Sequence, residues 1–223
     1  MIEHFDLGEG YRISRVIKGG WQLAAGHGES VAADPVGDMR AFARAGIDTF
    51  DCADIYTGVE ALIGKFLRRN GASAKPVPVR VHTKVVPDLD ALATLRRADV
   101  EAIIDRSRRR LGQERLDMVQ FHWWDTTVPG WLAAAGWLRD LQQAGKIDRL
   151  SLTNFNASDT RRMLEAGIEL TTTQVQYSLL DPRPEKALAG VCANGGMHLL
   201  CYGTLAGGFL SDRWLGRAVP LAT

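Results

Sequence analysis

Two hydrophobic patterns alternate along the chain. Short runs rich in β-branched and aromatic residues predict strands, and longer stretches with apolar residues at helical spacing predict the helices between them. The strands are expected at residues 15–21, 48–53, 79–85, 117–122, 149–153, 171–177 and 197–202.

Apolar stripes and capping residues mark the helices. Asp34 followed by Pro35 predicts a helix start, and Gly46 predicts its end. A second predicted helix has the apolar stripe Val59, Leu62, Ile63 and Phe66. A third is expected to be capped by Asp99, with the stripe Val100, Ile103, Ile104, Ser107 and Leu111. A fourth has the stripe Trp131, Ala134, Leu138 and Leu141 and is expected to end at Gly145. Weaker helices are expected after Ser158, ending near Gly167, and after Asp181, ending near Gly195 and Gly196.

Strands that are each followed by a helix imply a parallel sheet, because parallel strands need crossover connections. An open doubly wound sheet and a (β/α)₈ barrel both fit this pattern. The segment GGWQLAAGHGES, residues 19–30, does not match the GxGxxG loop that an open dinucleotide-binding sheet carries after its first strand. We therefore predict one α/β domain over residues 1–223, a TIM-type barrel that is incomplete, with about seven strands present.

Polar and aromatic residues stand at the end of every predicted strand. In a barrel the carboxyl ends of the strands share one rim, and that rim holds the active site. A single such residue is typical of a turn, whereas a ring of them predicts a pocket. The residues are Trp21, Asp51 with Tyr56, Lys84, His122, Thr153 with Asn154, Gln174 with Gln176, and Tyr202.

The residue types at this rim suit proton transfer to a carbonyl oxygen. Tyrosine has a reference pKa of about 10, and a nearby ammonium lowers it by favouring the phenolate. We expect Asp51 to hold Lys84 charged and aimed at Tyr56, and His122 to orient the carbonyl by donating a hydrogen bond.

No protein side chain donates hydride, so this chemistry requires a nicotinamide cofactor. Asn154 and Gln174 carry amide groups suited to hold its carboxamide, and the ring of Tyr202 is suited to stack on the nicotinamide.

Five spaced motifs resemble those of the aldo-keto reductase family. They are GIDTFDCADIY (46–56), VHTKV (81–85), LDMVQFHWWD (116–125), LTNFN (152–156) and QVQYSLLD (174–181), and YGTLAGGFL (202–210) is similar to the start of the family's seventh loop. The resemblance covers residues 10–212.

The resemblance implies a catalytic tetrad and a cofactor site. The tetrad falls on Asp51, Tyr56, Lys84 and His122, with Tyr56 as general acid and base. The cofactor residues are Thr153, Asn154, Gln174, Tyr202, Gly203 and Leu205, with Gly207 and Gly208 near the pyrophosphate. The family reduces aldehydes and ketones with NADPH or oxidises sugars and alcohols in reverse, so NADP(H), or alternatively NAD(H), and a small carbonyl or sugar substrate are expected.

The chain departs from the family at its end. After Tyr202 only residues 203–223 remain, whereas one strand–helix repeat needs about 30 residues. In the family this part binds the adenosine end of the cofactor. We therefore expect a C-terminally truncated chain that lacks the last repeat and binds NADPH poorly, unless a second chain fills the gap.

Several other roles stay open. Trp21 and Trp123 are equally consistent with a substrate wall and with the core, Asp54 and Cys52 are expected to be structural, and Arg80 and His82 to fill the lower barrel. The rival functions are an inactive fragment, a non-catalytic regulatory or binding protein, and an isomerase or aldolase that uses Lys84 as base or Schiff-base lysine. The amide pair Asn154 and Gln174 argues against the last.

Composition and charge narrow the expected binding partners, metal sites and cellular location. A net charge of +1 argues against nonspecific nucleic-acid binding. The sparse cysteines Cys52, Cys192 and Cys201 favour a reducing compartment and predict no metal site. A polar start and the lack of a long apolar run predict a cytoplasmic protein without a membrane partner. The oligomeric state stays open.

Overall fold

The computed structural model describes residues 2–24 and 33–217. Residues 1, 25–32 and 218–223 lie outside the described residues, and they include part of the 19–30 segment and the last part of residues 203–223. The strands are β1 (His4–Asp6), β2 (Arg12–Ser14), β3 (Lys18–Gly19), β4 (Thr49–Asp51), β5 (Arg80–Val85), β6 (Leu116–Phe121), β7 (Ile147–Thr153), β8 (Thr172–Gln176) and β9 (His198–Tyr202). The helices are α1 (Pro35–Arg44), α2 (Val59–Gly71), α3 (Arg97–Leu111), α4 (Trp131–Gln143), α5 (Ala157–Glu165), α6 (Arg183–Lys186) and α7 (Leu188–Asn194).

Strands β3 to β9 form one seven-stranded parallel sheet in sequence order. At least one helix lies between each two successive strands of this sheet, and the sheet curls into a partial barrel, which confirms the predicted TIM-type architecture with seven strands. In the described residues no pairing joins β9 to β3, so the barrel is open between these strands. None of the described helices is long and apolar enough to cross a membrane.

An antiparallel hairpin of β1 and β2 closes the amino-terminal end of the barrel, and the hydrophobic pattern did not predict it. Phe5 pairs with Ile13 across the hairpin. Its turn has positive φ at three successive residues, Gly8, Glu9 and Gly10, a conformation that glycine adopts readily. Tyr11 is buried to 2% exposure below the sheet, so this short and mostly polar segment covers the barrel floor.

The structure corrects two of the predicted helix starts. Asp34 caps α1 as expected, since its carboxylate accepts from the Gly37 N–H at 3.0 Å. Helix α3 begins earlier than predicted: Asp99 stands inside its first turn and accepts from the Arg96 N–H at 2.9 Å. Helix α5 is capped by Asn156, rather than Ser158, through the Asp159 N–H at 2.8 Å.

The core lies between the outer face of the sheet and the helices. Phe50 and Cys52 from the β4 region pack there with Ile63 and Phe66 of α2, and Cys52 has the packing role that was expected of it. Helices α2 and α3 approach each other closely at Gly64, where an added Cβ would overlap the backbone carbonyl of Arg110. Only glycine permits this helix contact.

We predict that Gly64→Ala destabilises the protein by about 1–3 kcal/mol, because the methyl group must push two helix backbones apart. Gly136→Ala in α4 is the matched control, since nothing lies within 4 Å of a Cβ there. It should stabilise by up to about 1 kcal/mol through helix propensity. Urea unfolding of both variants checks this, and equal effects would show that the Gly64 contact does not constrain packing.

Candidate active site

A cavity of about 1050 Å³ opens at the carboxyl ends of the strands and extends to the hairpin and β9, where Phe5, Ile13 and His198 also line it. Ten residues predicted for the site line this cavity together. They are Trp21, Asp51, Tyr56, Lys84, His122, Thr153, Asn154, Gln174, Tyr202 and Gly203. The parallel register explains the assembly, because it sets Thr153 of β7 opposite Gln174 of β8, and Gln176 opposite Tyr202 of β9.

A buried ion pair lies at the centre of the cavity floor. Lys84 Nζ donates to Asp51 Oδ2 at 2.6 Å and to the Cys52 carbonyl at 2.9 Å. The second carboxylate oxygen of Asp51 accepts from Gln120 Nε2 at 2.7 Å and Gln174 Nε2 at 2.8 Å. Buried charges need such partners, and here both carboxylate oxygens have them.

Lys84 is held in its charged form. Burial favours the neutral amine, but the negative charge of Asp51 and the neighbouring Tyr56 outweigh it and raise the pKa of Lys84 above its ordinary value. The ammonium is therefore present at neutral pH.

Tyr56 lies in the loop after β4, and Lys84 Nζ is 5.1 Å from the centre of its ring. Burial raises the pKa of Tyr56, and the positive charge of Lys84 opposes that rise without cancelling it. The sequence predicted a net lowering, and the net direction is the reverse because desolvation outweighs the ammonium. The Tyr56 hydroxyl is thus protonated at neutral pH, as a proton donor must be.

His122 follows β6 and faces the cavity. Its Nδ1 lies 3.2 Å from the Thr153 carbonyl oxygen, which can only accept, so Nδ1 carries a proton in this contact. Burial lowers the pKa of His122, which favours the neutral ring. The expected donation from Nε2 to a carbonyl oxygen requires a proton on Nε2, in the other tautomer or in the protonated ring.

The opposite side of the rim carries amides and a phenol ring. Asn154 has a positive φ of 61°, and its Oδ1 accepts from the Tyr202 hydroxyl at 3.0 Å. Gln174 uses its Nε2 on Asp51. The Tyr202 ring is 41% exposed at the cavity rim. An amide pair beside an exposed flat ring fits the carboxamide and ring of a nicotinamide.

Two predicted residues are placed elsewhere. Trp123 is buried at 3% exposure, and its indole N–H donates to the Val128 carbonyl at 3.1 Å, so it belongs to the core. Leu205 is 60% exposed and does not line the cavity. The neighbouring Trp124 lines the cavity instead, since the chain turns after β6 and directs the two adjacent indoles to opposite sides.

Asp54 has the structural role that was expected of it, because it anchors the loop that carries Tyr56. Its carboxylate accepts from the Val86 N–H and from Arg106, both at 3.1 Å. Burial, with the nearby negative charge of Glu60, raises the pKa of Asp54 to about 7 against the opposing charge of Arg106.

Sequence reasoning missed Gln120 as a site residue. Its side chain is fully buried in β6 and donates to Asp51. The signal was an amide that follows two apolar residues near the end of the strand run LDMVQF.

His82 lies beneath the ion pair in the lower barrel, as predicted. It is fully buried, its ring is 6.1 Å from that of Tyr11, and neither ring nitrogen has a hydrogen-bond partner among the described residues. Burial lowers the pKa of His82 to about 4, with Lys84 and Arg80 adding to the effect and Asp51 opposing it.

Comparisons with known proteins agree with this geometry. The model of the aldo/keto reductase family matches residues 15–218. The chain is 28% identical over 215 residues to the aldo-keto reductase YhdN of Bacillus subtilis, covering 92% of the chain and 62% of that protein. It is 28% identical over 201 residues to flagellar radial spoke protein 5 of Chlamydomonas reinhardtii, covering 75% of the chain and 38% of that protein.

A solved structure shares the fold over nearly the whole chain. The glycerol dehydrogenase AKR11B4 from Gluconobacter oxydans superimposes with a TM-score of 0.77 at 26% identity, covering 99% of this chain and 68% of that one. The chain spans less than two thirds of the length of the curated relatives it matches, 62% for YhdN and 38% for the radial spoke protein.

We predict that His82 makes the fold sensitive to acid. Its pKa is near 6.5 when unfolded and about 4 when folded, so the unfolded chain binds a proton first and stability falls as the pH drops through this window. Between about pH 7 and about pH 5 the wild type should lose about 2 kcal/mol more than His82→Leu. Urea unfolding at both pH values measures the difference, and parallel losses would contradict the buried neutral histidine.

Proposed function

The chain belongs to the aldo/keto reductase family, and from that premise we propose that it is an oxidoreductase that transfers hydride between a nicotinamide cofactor and a small carbonyl compound. In reverse it would oxidise an alcohol or sugar. The main support is the Lys84 ammonium, held by Asp51 at 2.6 Å and set against the Tyr56 ring in the cavity.

The site would hold NADP(H), or alternatively NAD(H), which when bound would supply or accept the hydride. Thr153, Asn154 and Gln174 would hold its carboxamide, and Tyr202 and Gly203 would border its ring. The exposed Tyr202 ring and the Asn154 amide beside it support this assignment.

In reduction, Tyr56 is the general acid. Its O–H bond breaks, and the proton passes to the carbonyl oxygen as that oxygen gains negative charge. The resulting phenolate lies beside the Lys84 ammonium, which stabilises it. In oxidation the phenolate accepts the alcohol proton, and His122 would orient the same oxygen by donating from Nε2 when that nitrogen carries a proton.

The raised pKa of Lys84 also bears on the rival aldolase chemistry. A Schiff base forms from a neutral amine, and the carboxylate of Asp51 favours the ammonium instead. Borohydride trapping with substrate would therefore leave the chain unmodified.

A second candidate function is a non-catalytic, partner-binding role. It draws on the similarity to flagellar radial spoke protein 5, whose name describes a structural assembly. Such a chain would neither bind nor turn over a nicotinamide. For either function we propose a cytoplasmic protein that acts without nucleic acid or membrane.

We predict that Tyr56→Phe lowers kcat for aldehyde reduction by about 10²–10⁴-fold, because the substrate oxygen loses its proton donor. NADPH absorbance follows the reaction, and a fluorescence titration of NADPH should show little change in affinity.

Tyr177→Phe is the matched control, because Tyr177 contacts Glu185 at the surface and does not line the cavity. It should retain wild-type turnover. Near-normal turnover in Tyr56→Phe would overturn the assignment. A wild type inert with both NADPH and NADH would favour an inactive fragment or the partner-binding role.

A further inference from the structure

One side of the active-site mouth is apolar and extends beyond the main cavity. A smaller cavity of about 150 Å³ is lined by Ile55, Val86, Pro87, Asp88, Leu89 and Trp124. Three of these residues, Ile55, Val86 and Trp124, also line the main cavity. The two spaces therefore share a wall, which begins next to Tyr56 and leads away from the amide side of the rim.

Trp124 presents its ring, not its hydrogen-bond donor, to this space. Its indole N–H donates to the Pro87 carbonyl at 2.9 Å, while half of the side chain stays exposed. The ring meets His122 edge-on with the two ring centres 4.7 Å apart. The fixed N–H holds the indole in place, so this part of the wall is preformed.

Trp21 forms a similar aromatic surface beside Tyr56. It lines the main cavity and meets Tyr56 edge-on with ring centres 4.9 Å apart. Each of the two residues proposed to contact the substrate oxygen, Tyr56 and His122, thus has an indole beside it.

Leu89, which lines the smaller cavity, extends the shared wall. Leu89 is 62% exposed and Ile55 is 40% exposed. Covering such a surface with an apolar group is favourable in proportion to the area removed from water. A cavity of about 150 Å³ with apolar walls is large enough to hold a benzene ring.

The same wall disfavours charged and hydroxylated substrates. Asp88 is the charged residue that lines the smaller cavity, and it repels an anion. Hydroxyl groups placed against Ile55, Leu89 and the Trp124 ring would lose their hydrogen bonds to water without replacement, which is costly.

From these observations we infer that the shared wall selects a neutral, flat aromatic aldehyde of the benzaldehyde type over a polyhydroxylated one. The aldehyde carbonyl lies at Tyr56, and the aromatic ring covers Ile55, Leu89 and Trp124. This substrate preference rests on the proposed reductase function, whereas the binding of an aromatic ring to the wall is independent of turnover.

The test compares kcat/KM for benzaldehyde and glyceraldehyde, two aldehydes of opposite polarity. Wild type should prefer benzaldehyde, and Trp124→Ala should reduce that preference about 10-fold or more, within the range that hydrophobic pockets discriminate. Trp124→Phe should retain most of it. Leu89→Ser should reduce it severalfold, and the same change at Leu179, 89% exposed and away from both cavities, should leave it unchanged.

A binding measurement tests the apolar wall separately from the proposed reductase function. Fluorine NMR of 4-fluorobenzyl alcohol without cofactor should show binding to wild type that Trp124→Ala and Leu89→Ser weaken. That result would support aromatic binding at the wall even if the chain turned over no aldehyde. In that case only the proposed reductase function would be contradicted. The inference would be overturned if wild type showed equal kcat/KM for the two aldehydes or a higher value for glyceraldehyde. It would also be overturned if the aromatic alcohol did not bind, or if neither Trp124→Ala nor Leu89→Ser weakened its binding.

Discussion

The ion pair between Lys84 and Asp51 is the constraint on which the rest of the site depends. Its side chains are only 6% and 12% exposed, so neither charge is tolerable without the other. The Asp51 carboxylate also accepts from Gln120 and Gln174. Donors from β5, β6 and β8 thus meet on one residue of β4, which ties the strand ends together across the curled sheet.

The chemistry follows from where this pair lies. The ammonium is close to the Tyr56 ring, and burial keeps the phenol protonated until a substrate oxygen takes the proton. Asp54 fixes the loop that carries Tyr56, and the amides and Tyr202 occupy the other side of the rim. Trp124 and Ile55 form an apolar side of the mouth, which the substrate would cover in the proposed reaction, and the amide side would hold the nicotinamide.

The alternating hydrophobic pattern was sufficient to predict the barrel and most of the rim, because strand ends in a parallel sheet meet at one edge. It was not sufficient where the chain leaves regular structure. Side-chain parity no longer holds after β6, so Trp123 and Trp124 could not be told apart. The hairpin was missed because its strands are only three residues long and its buried residues Leu7, Tyr11 and Ile13 are interspersed with polar ones. The direction of the Tyr56 pKa shift depends on a burial that sequence does not measure.

A double-mutant cycle on Asp51→Asn and Lys84→Met tests the central ion pair most directly. Each single variant leaves one buried charge without its partner and should cost about 3–5 kcal/mol of unfolding free energy. The double variant removes both charges, so it should cost far less than the sum of the two. Additive costs, within about 0.5 kcal/mol, would show that the two residues do not stabilise each other.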